Sequence, residues 1–325
     1  MLSVPPVSVI ICAYNAEKYI ETAINSILRQ TYTNIEVLIL DDTSTDSTFQ
    51  IIQEAAKKDG RIRYIRLSEN GGLANARKIG LENARYDWIL FIDADDIAMP
   101  EMLSTQIEAV TQEPDLIAVG TYAYYIGENE EKILGIQSIG PISAKVFFDL
   151  YKRNKLIFLP ASSLFSKENA LLVGGHRIFD KSDNVNIRWQ DFCEDLDLWC
   201  RLSDLGIDGK YMKVIPKPLF LYRKRQDSIS TNVFLMLKKM RWIKDCLKRR
   251  RSGLSERSYE EFINSLSLWN RLNNMRKDYA AFYYRKAGFR YINKKYINAL
   301  TNLSMVMLLN PSYIIDKLRT QKFYK

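Results

Sequence analysis

The sequence predicts an α/β protein with a mostly parallel central sheet, flanking helices and a basic helical segment at its C-terminal end. Apolar runs rich in β-branched residues recur through the first third of the chain, and segments with helical spacing separate them. Strands that alternate with helices of about 10–15 residues are typical of βαβ units, and hence of parallel sheets. After residue 233 glycine is rare and apolar residues recur at helical spacing. We therefore expect two parts, residues 1–230 and 231–325.

Strands and helices are predicted to alternate from the N-terminus onward. Strands are expected where short apolar runs stop at polar residues, at 7–13, 35–40, 61–67 and 88–92. Helices are expected between them, near 17–30, 46–58 and 73–85. Ser44 and Asp46 precede the second helix, and both residue types are favoured at helix N-caps.

Beyond residue 115 the alternation loosens. Residues 116–126 and 132–139 flank a polar, glycine-containing turn, which indicates an antiparallel hairpin. Helical spacing returns over 194–206 and stops at Gly206, a residue type that often ends helices. A last strand is predicted over 210–223, interrupted by two prolines.

The most informative segment is WILFIDADD, residues 88–96. A strand buried on both faces ends abruptly in Asp93, Asp95 and Asp96, whose carboxylates repel one another unless a cation offsets them. Mg²⁺ and Mn²⁺ prefer oxygen ligands and combine one or two carboxylates with substrate phosphates. This pattern predicts a metal-diphosphate site at the carboxyl edge of the sheet. The alternative is an acidic turn that caps the helix after Pro100.

Two further segments point to the same edge. Asp42 follows the second strand, where a carboxylate could accept a hydrogen bond from a nucleobase N–H or a ribose hydroxyl, although it could also serve only the next helix. In ENGGLANARKIG, Gly71 and Gly72 stand at a loop-to-helix junction that allows backbone N–H groups to approach phosphate. Arg77 lies one to two turns into that helix.

A carboxylate pair, Glu194 and Asp195, opens a helix after the irregular segment 174–193, which we expect to be a loop region of the site. Acidic residues favour helix N-termini through the helix dipole alone. The functional alternative is a general base for a sugar hydroxyl. Any one of these features alone has a structural explanation, but four of them in one α/β pattern favour a functional site.

Five segments in this order resemble the motifs of glycosyltransferase family 2: VSVIICAYN, LILDDTSTDST, ENGGLANARKIG, WILFIDADD and FCEDLDLW. The resemblance covers residues 5–230 and implies an inverting nucleotide-sugar transferase with a GT-A fold. Within the family, the chain is more weakly similar to bacterial lipooligosaccharide and capsule transferases. This implies a donor such as UDP-GlcNAc or UDP-Gal and an acceptor that is a surface glycan, free or lipid-linked.

The resemblance also implies residue roles. It implies donor binding by Ala13, Tyr14, Asn15, Asp42, Gly71, Gly72, Arg77, Asp93 and Ala94. Tyr14 would flank the base, Asp42 would contact uracil, and Asp95 would be the direct ligand of Mn²⁺ or Mg²⁺. Asp195 would be the catalytic base, with Gly174, Gly175 and Glu194 on the acceptor side.

One departure from the family pattern lies in YRKRQDSIS, where Arg225 replaces the histidine that many relatives have near the diphosphate and metal. An arginine binds phosphate but not a metal, so we expect a diphosphate contact here. Two alternatives remain open, a non-catalytic nucleotide-sugar-binding scaffold and a nucleotidyltransferase. The carboxylates argue against the first, and AYNAEKY after strand one, in place of a glycine- and arginine-rich loop, argues against the second.

The charge is distributed unevenly. Residues 217–325 contain 25 Lys and Arg against 7 Asp and Glu, a balance of +18, whereas residues 1–216 carry 22 against 31, a balance of −9. Such asymmetry suggests a membrane surface or nucleic acid as partner. No nucleic-acid-binding motif is present, so no nucleic acid is expected. No signal peptide and no apolar run of about 18 residues are evident, which favours a cytoplasmic protein.

A basic amphipathic helix is predicted at 234–251. Its apolar residues lie roughly on one side, and they are Phe234, Leu237, Met240, Trp242, Ile243 and Leu247. We expect this side to lie on an anionic membrane, at the inner face of the plasma membrane. The alternative is that it packs on the first part of the chain or on a second subunit, as in a homodimer.

Overall fold

The computed structural model describes residues 4–128, 132–178, 189–225, 232–292 and 294–320. The chain forms two compact units, Met1–Ser228 and Ile229–Lys325. Parts of the predicted hairpin turn, of the loop 174–193 and of the segment after Arg225 lie outside the described residues.

The first unit is built on a nine-stranded sheet. Its parallel part has the strand order β3-β2-β1-β4. These strands are β1 (Val7–Ala13), β2 (Ile35–Asp41), β3 (Ile62–Arg66) and β4 (Trp88–Asp93). The helices that connect them are α1 (Ile20–Leu28), α2 (Thr48–Lys58) and α3 (Leu73–Asn83). The predicted βαβ alternation is confirmed.

The sheet continues through mixed pairings, in the order β4-β8-β6-β9-β5, with β7 paired to β6. These strands are β5 (Ile97–Ala98), β6 (Leu116–Ile126), β7 (Ile133–Gln137), β8 (Leu164–Ser166) and β9 (Tyr211–Arg223). The helices of this part are α4 (Met102–Gln112), α5 (Ala144–Lys152), α6 (Lys167–Leu172) and α7 (Glu194–Leu202). The β6–β7 hairpin is antiparallel, as predicted.

Both faces of the parallel strands are buried, which explains their continuous apolar runs. Val9 and Ile11 of β1 belong to one core cluster, whereas Ile10 between them belongs to the cluster on the other face. The period of two along a strand produces this division. The edge of the sheet at which β1, β2 and β4 end is thereby held rigidly between two cores.

Two predicted helix boundaries differ from the structure. Helix α1 begins at Ile20 rather than near 17, and the N–H groups of Ala16 and Glu17 before it donate to the side chains of Thr48 and Asp46. The helix predicted over 194–206 stops at Leu202 and continues as a 3₁₀ turn, so the residue that ends it in the left-handed conformation is Gly209 (φ 82°), not Gly206.

The second unit is helical. It contains α8 (Val233–Arg251), α9 (Tyr259–Ser265), α10 (Leu268–Ile292), α11 (Tyr296–Leu309) and α12 (Pro311–Thr320). None of the helices in the described part of the chain is long and apolar enough to cross a membrane.

The apolar side of α8 is covered by its own unit. Trp242, Ile243 and Leu247 are buried, and the Phe234 ring packs on Tyr279 and Phe282 of α10. The prediction that this side of α8 lies on a membrane is therefore wrong. The amphipathic pattern correctly predicts a helix, but the same pattern suits a side covered by protein as well as one covered by lipid.

Candidate functional site

The carboxyl ends of β1, β2 and β4 lie side by side. Ala13 is the register partner of Asp41, and Cys12 is the partner of Asp93. The Asp42 N–H donates to the Ala13 carbonyl at 2.9 Å. The parallel topology thus brings three of the predicted donor-binding residues to one edge of the sheet, where open α/β folds bind ligands.

Asp42 holds the glycine loop at the start of α3. Its two carboxylate oxygens accept hydrogen bonds from the N–H groups of Gly71 (2.8 Å) and Gly72 (2.9 Å), and its side chain is buried. The two N–H groups expected to face a phosphate are therefore engaged by a carboxylate, which corrects that expectation. The contact between Asp42 and a nucleobase stays a prediction.

Asp191 is a residue that the sequence analysis missed. Its carboxylate accepts the Ala74 N–H in the first turn of α3 at 2.9 Å. Gly72 has φ +87°, and a side chain there would collide with the Asp191 carboxylate. A carboxylate is favoured at a helix N-terminus, but 117 residues separate these partners, so no local pattern revealed it.

Arg77 bridges two carboxylates in the interior of the site. Its guanidinium donates to Asp93 at 2.8 Å and contacts Glu194. Burial alone would lower the pKa of Arg77, but the charges of Glu194 and Asp93 raise it well above its usual range. Arg77 is therefore a permanent cation that joins the end of β4 to the start of α7.

Glu194 and Asp195 differ in access although they are adjacent. Glu194 is buried in its ion pair with Arg77, whereas Asp195 is only partly buried. Both begin α7, after Cys193, whose backbone is left-handed (φ 52°). Because a base must reach the proton that it takes, Asp195 is the better candidate, and Glu194 has a role in positioning Arg77.

The acidic turn after β4 does not cap the next helix. Helix α4 begins at Met102 and has no side-chain cap. Asp95 instead lies 3.3 Å from the Arg225 guanidinium, and Asp96 accepts the Arg223 N–H at 2.8 Å. The second carboxylate oxygen of Asp96 is buried without a hydrogen-bond partner among the described residues.

Burial raises the pKa of Asp95, and the charge of Asp93 raises it further. The same two causes, together with Asp95, raise the pKa of Asp96 more strongly. A cation bound here would offset this repulsion. Among the described residues no group of three His, Cys, Asp or Glu side chains could hold a metal by itself. A hard cation held by this turn would need further ligands, such as substrate phosphates.

Beside this turn is a cavity of roughly 290 Å³. It is lined by Asn15, Glu17, Lys18, Tyr19, Asp46, Glu128 and Arg225. The Tyr19 ring lies under the guanidinium groups of Arg223 and Arg225, at 4.8 and 5.3 Å from its centroid. Tyr19, a second residue missed from the sequence, thereby fixes the end of β9 against the loop after β1.

The loop after β1 carries the other predicted residues. Asn15 is left-handed (φ 48°), and its side chain accepts the Thr45 N–H at 2.9 Å. Tyr14 is 52% exposed, so its ring is free to pack on a ligand.

Residues 8–172 match the sequence model of the family described as Glycosyl transferase family 2. This segment is about half of the chain and includes Asp42, Arg77, Asp93 and Asp95. The chain belongs to glycosyltransferase family 2. It is therefore a glycosyltransferase that takes its sugar from a nucleotide-sugar, and the resemblance drawn from the five motifs is confirmed.

Two relatives extend the similarity beyond that segment. An uncharacterized glycosyltransferase of Haemophilus influenzae is 31% identical over 243 residues, 71% of this chain and 69% of that protein. The Escherichia coli UDP-Glc:alpha-D-GlcNAc-diphosphoundecaprenol beta-1,3-glucosyltransferase WfaP is 38% identical over 229 residues, 70% of this chain and 81% of that protein.

Solved structures show the fold. The crystal structure of Staphylococcus aureus TarS 1-349 in complex with UDP-GlcNAc has a TM-score of 0.56 and 17% sequence identity, over 96% of this chain and 92% of that chain. The predicted GT-A fold of family 2, with C-terminal helices, is thereby confirmed.

Gly174 and Gly175, expected on the acceptor side, terminate α6. Both are left-handed (φ 90° and 59°), and their N–H groups donate to carbonyls of that helix. Arg201 donates to the Gly175 carbonyl at 2.6 Å. In the described part of this family 2 enzyme, both glycines therefore serve to end helix α6. An acceptor contact stays a prediction, because the neighbouring residues 179–188 lie outside them.

Proposed function

We propose that the chain transfers a hexose or N-acetylhexosamine from a UDP-sugar to a hydroxyl of a bacterial surface glycan, with inversion at the anomeric carbon. The observation that carries the proposal is the convergence of Asp93, Asp95, Arg77, Arg225 and Asp195 around one sheet edge. Cations and carboxylates in this arrangement suit a diphosphate donor on one side and a hydroxyl acceptor on the other.

Arg225 is suited to bind the diphosphate of the donor. Its guanidinium lies at the rim of the cavity beside Asp95, and the Tyr19 ring orients it. Guanidinium groups bind phosphate oxygens through paired, charge-assisted hydrogen bonds. The exposed Tyr14 ring is suited to pack on the base. UDP is favoured over other nucleotides because the name of WfaP specifies UDP-Glc and the TarS crystal contains UDP-GlcNAc.

A divalent cation fits the acidic turn, with Asp95 as its protein ligand. One Asp96 oxygen has no hydrogen-bond partner among the described residues, and the charge of Asp93 adds to burial in raising the pKa of Asp95. Both observations indicate negative charge that a cation would offset. When bound, Mn²⁺ or Mg²⁺ would neutralise the departing diphosphate as a Lewis acid. Asp93, which forms an ion pair with Arg77, would orient the ribose and the sugar.

Asp195 is the proposed base. Its partly buried carboxylate takes the proton of the acceptor hydroxyl while that oxygen attacks C1 of the sugar and the bond from C1 to the diphosphate oxygen breaks. General-base assistance of this kind contributes about 10²–10⁴-fold. Attack opposite the leaving group inverts the centre, so an α-linked donor gives a β-glycoside.

The acceptor is proposed to be a growing glycan on a lipid carrier. The support is the name of WfaP, which specifies a diphosphoundecaprenol acceptor.

Thermal unfolding with UDP, GDP, CDP and dTDP, each with and without Mn²⁺, tests the donor class without an acceptor. A ligand at about 100 times its dissociation constant adds about 2.7 kcal/mol, which raises the melting temperature by several degrees. We expect UDP with Mn²⁺ to give the largest rise. No rise with any nucleotide would favour the non-catalytic scaffold.

A further inference from the structure

Two apolar stripes remain exposed on the second unit. On α10, Leu268, Leu272, Met275 and Tyr279 recur at intervals of four and three residues and are all exposed, and Trp269 beside them is 75% exposed. Residues at this spacing share one side of a helix. Exposed apolar residues are ordinary when scattered, but a continuous stripe marks an interaction surface.

The stripe on α11 lies opposite that helix's buried side. Ala299 and Val306 are buried, whereas Ile297, Leu300 and Leu308 are 81%, 66% and 79% exposed. Helices α10 and α11 pack on each other. We call the exposed residues of both stripes the α10–α11 surface, and its members are Leu268, Trp269, Leu272, Met275, Tyr279, Ile297, Leu300, Met307 and Leu308.

The charged residues of α10, α11 and the turn between them are almost all positive. Residues 268–310 contain eight Lys and Arg and one acid, Asp278. Asp278 is buried and bound to Arg241 of α8, at 3.0 Å for one of its oxygens, so it offers no negative charge to a partner. The cations that the structure leaves exposed are Arg271, Arg276, Lys277, Arg285, Lys286, Lys294 and Lys295.

This charge distribution favours an anionic lipid surface over a second copy of the chain as the binding partner. A second copy of the chain would bring like charges against one another, which is destabilising. An anionic lipid surface offers the opposite charge, and each Lys or Arg near it contributes about 1 kcal/mol. Trp and Tyr, both present in the α10–α11 surface, are enriched where a protein meets the membrane interface.

We propose that the α10–α11 surface binds the surface of an anionic bilayer, with its apolar side chains at the headgroup boundary and its cations on lipid phosphates. This mode needs no spanning helix. It does not depend on the proposed donor chemistry. It would keep the chain at a surface that carries lipid-linked glycans.

Sedimentation with vesicles tests the proposal on the full chain. Wild-type protein is mixed at low salt with vesicles of phosphatidylcholine alone or with phosphatidylglycerol. We expect binding only to the anionic vesicles, and weaker binding as salt is raised. Two apolar variants, Trp269→Gln with Leu272→Gln and Leu300→Gln with Leu308→Gln, should lower the affinity at least about tenfold.

Charge variants supply the matched control. Lys294→Gln with Lys295→Gln should lower the affinity by roughly 10- to 30-fold, whereas Lys238→Gln with Lys248→Gln, exposed lysines of α8, should have a smaller effect. Unchanged melting temperatures confirm that the variants fold. The proposal is overturned if wild-type protein ignores anionic vesicles, or if both apolar variants bind as well as wild type. It is also overturned if the apolar variants instead convert a dimer to a monomer in sedimentation velocity.

Discussion

The Arg225 guanidinium lies 3.3 Å from the Asp95 carboxylate, so the chain holds a cation of its own beside the proposed metal ligand. The Tyr19 ring supports that guanidinium from below. In the proposed function, Arg225 would turn from this carboxylate to the phosphate oxygens of a nucleoside diphosphate, since a guanidinium binds either group through paired hydrogen bonds. Asp95 would then be available to hold a divalent cation beside the diphosphate.

Arg225→Gln should weaken UDP binding. Loss of a hydrogen bond to a charged group costs about 1.5–3 kcal/mol, or roughly 10- to 150-fold in affinity. Calorimetric titration with UDP and Mn²⁺ measures it. Lys224→Gln is the control, since Lys224 lies over the rings of Tyr125 and Tyr222. An equal loss of UDP affinity in both variants would show that Arg225 does not bind the diphosphate.

Asp195→Asn should lower turnover at least about 100-fold while UDP binding is retained, because it removes the base and not a donor contact. Release of UDP from the preferred donor, in the presence of acceptor, gives the rate. Turnover equal to that of wild type would assign the base to another residue.

Arg77→Met should destabilise the first unit, because Glu194 is left buried without a counter-charge. Breaking such a pair costs about 3–5 kcal/mol. Chemical denaturation gives the free energy of unfolding. Adding Glu194→Leu should recover part of the loss. No recovery would mean that the loss arises from packing around Arg77 and not from the unpaired carboxylate.

His176 should make stability depend on pH. Burial lowers the pKa of His176 well below its ordinary 6.5, and the charges of Arg77 and Arg201 lower it further. Both ring nitrogens lack a hydrogen-bond partner among the described residues, and the ring packs edge-on against Phe91. Below pH 6.5 the unfolded chain takes up a proton that the folded chain excludes, so stability falls as pH falls, by at most about 1.4 kcal/mol per pH unit.

His176→Phe should remove this dependence, because phenylalanine keeps the ring and cannot titrate. Free energies of unfolding of the two proteins between pH 7.5 and 5.5 give the difference. The stability advantage of the variant should grow as pH falls, since this is the only histidine in the chain. A constant difference would show that His176 is protonated in the folded state as readily as in the unfolded state.

The local sequence is sufficient to predict the strands of the parallel sheet and the polar residues at their ends. The runs that form β1, β2 and β4 are apolar on both faces because helices cover both sides of the sheet, and their carboxyl ends hold the polar residues that motif and topology predict. Asp42, Asp93 and Asp95 follow parallel strands at their carboxyl ends, so the sequence alone predicts that they lie near one another.

Long-range pairing could not be predicted in this way. The contacts of Asp191 with α3 and of Glu194 with Arg77 each join residues 117 positions apart. The apolar pattern of α8 predicts a helix with one buried side, but whether lipid or protein covers that side depends on α9 and α10. Gly206 and Gly209 are equally plausible helix ends in sequence, but the 3₁₀ turn Ser203–Asp208 includes Gly206 and ends at Gly209.

The most direct test of the donor site is calorimetric titration of UDP into wild type and Asp95→Ala, each with and without Mn²⁺. Asp149→Ala, an exposed carboxylate of α5, is the control. We predict that Mn²⁺ strengthens UDP binding at least about tenfold in wild type and control, and that Asp95→Ala binds UDP equally with and without Mn²⁺. If Asp95→Ala keeps the full gain from Mn²⁺, the cation is held elsewhere and the assignment of Asp95 is wrong.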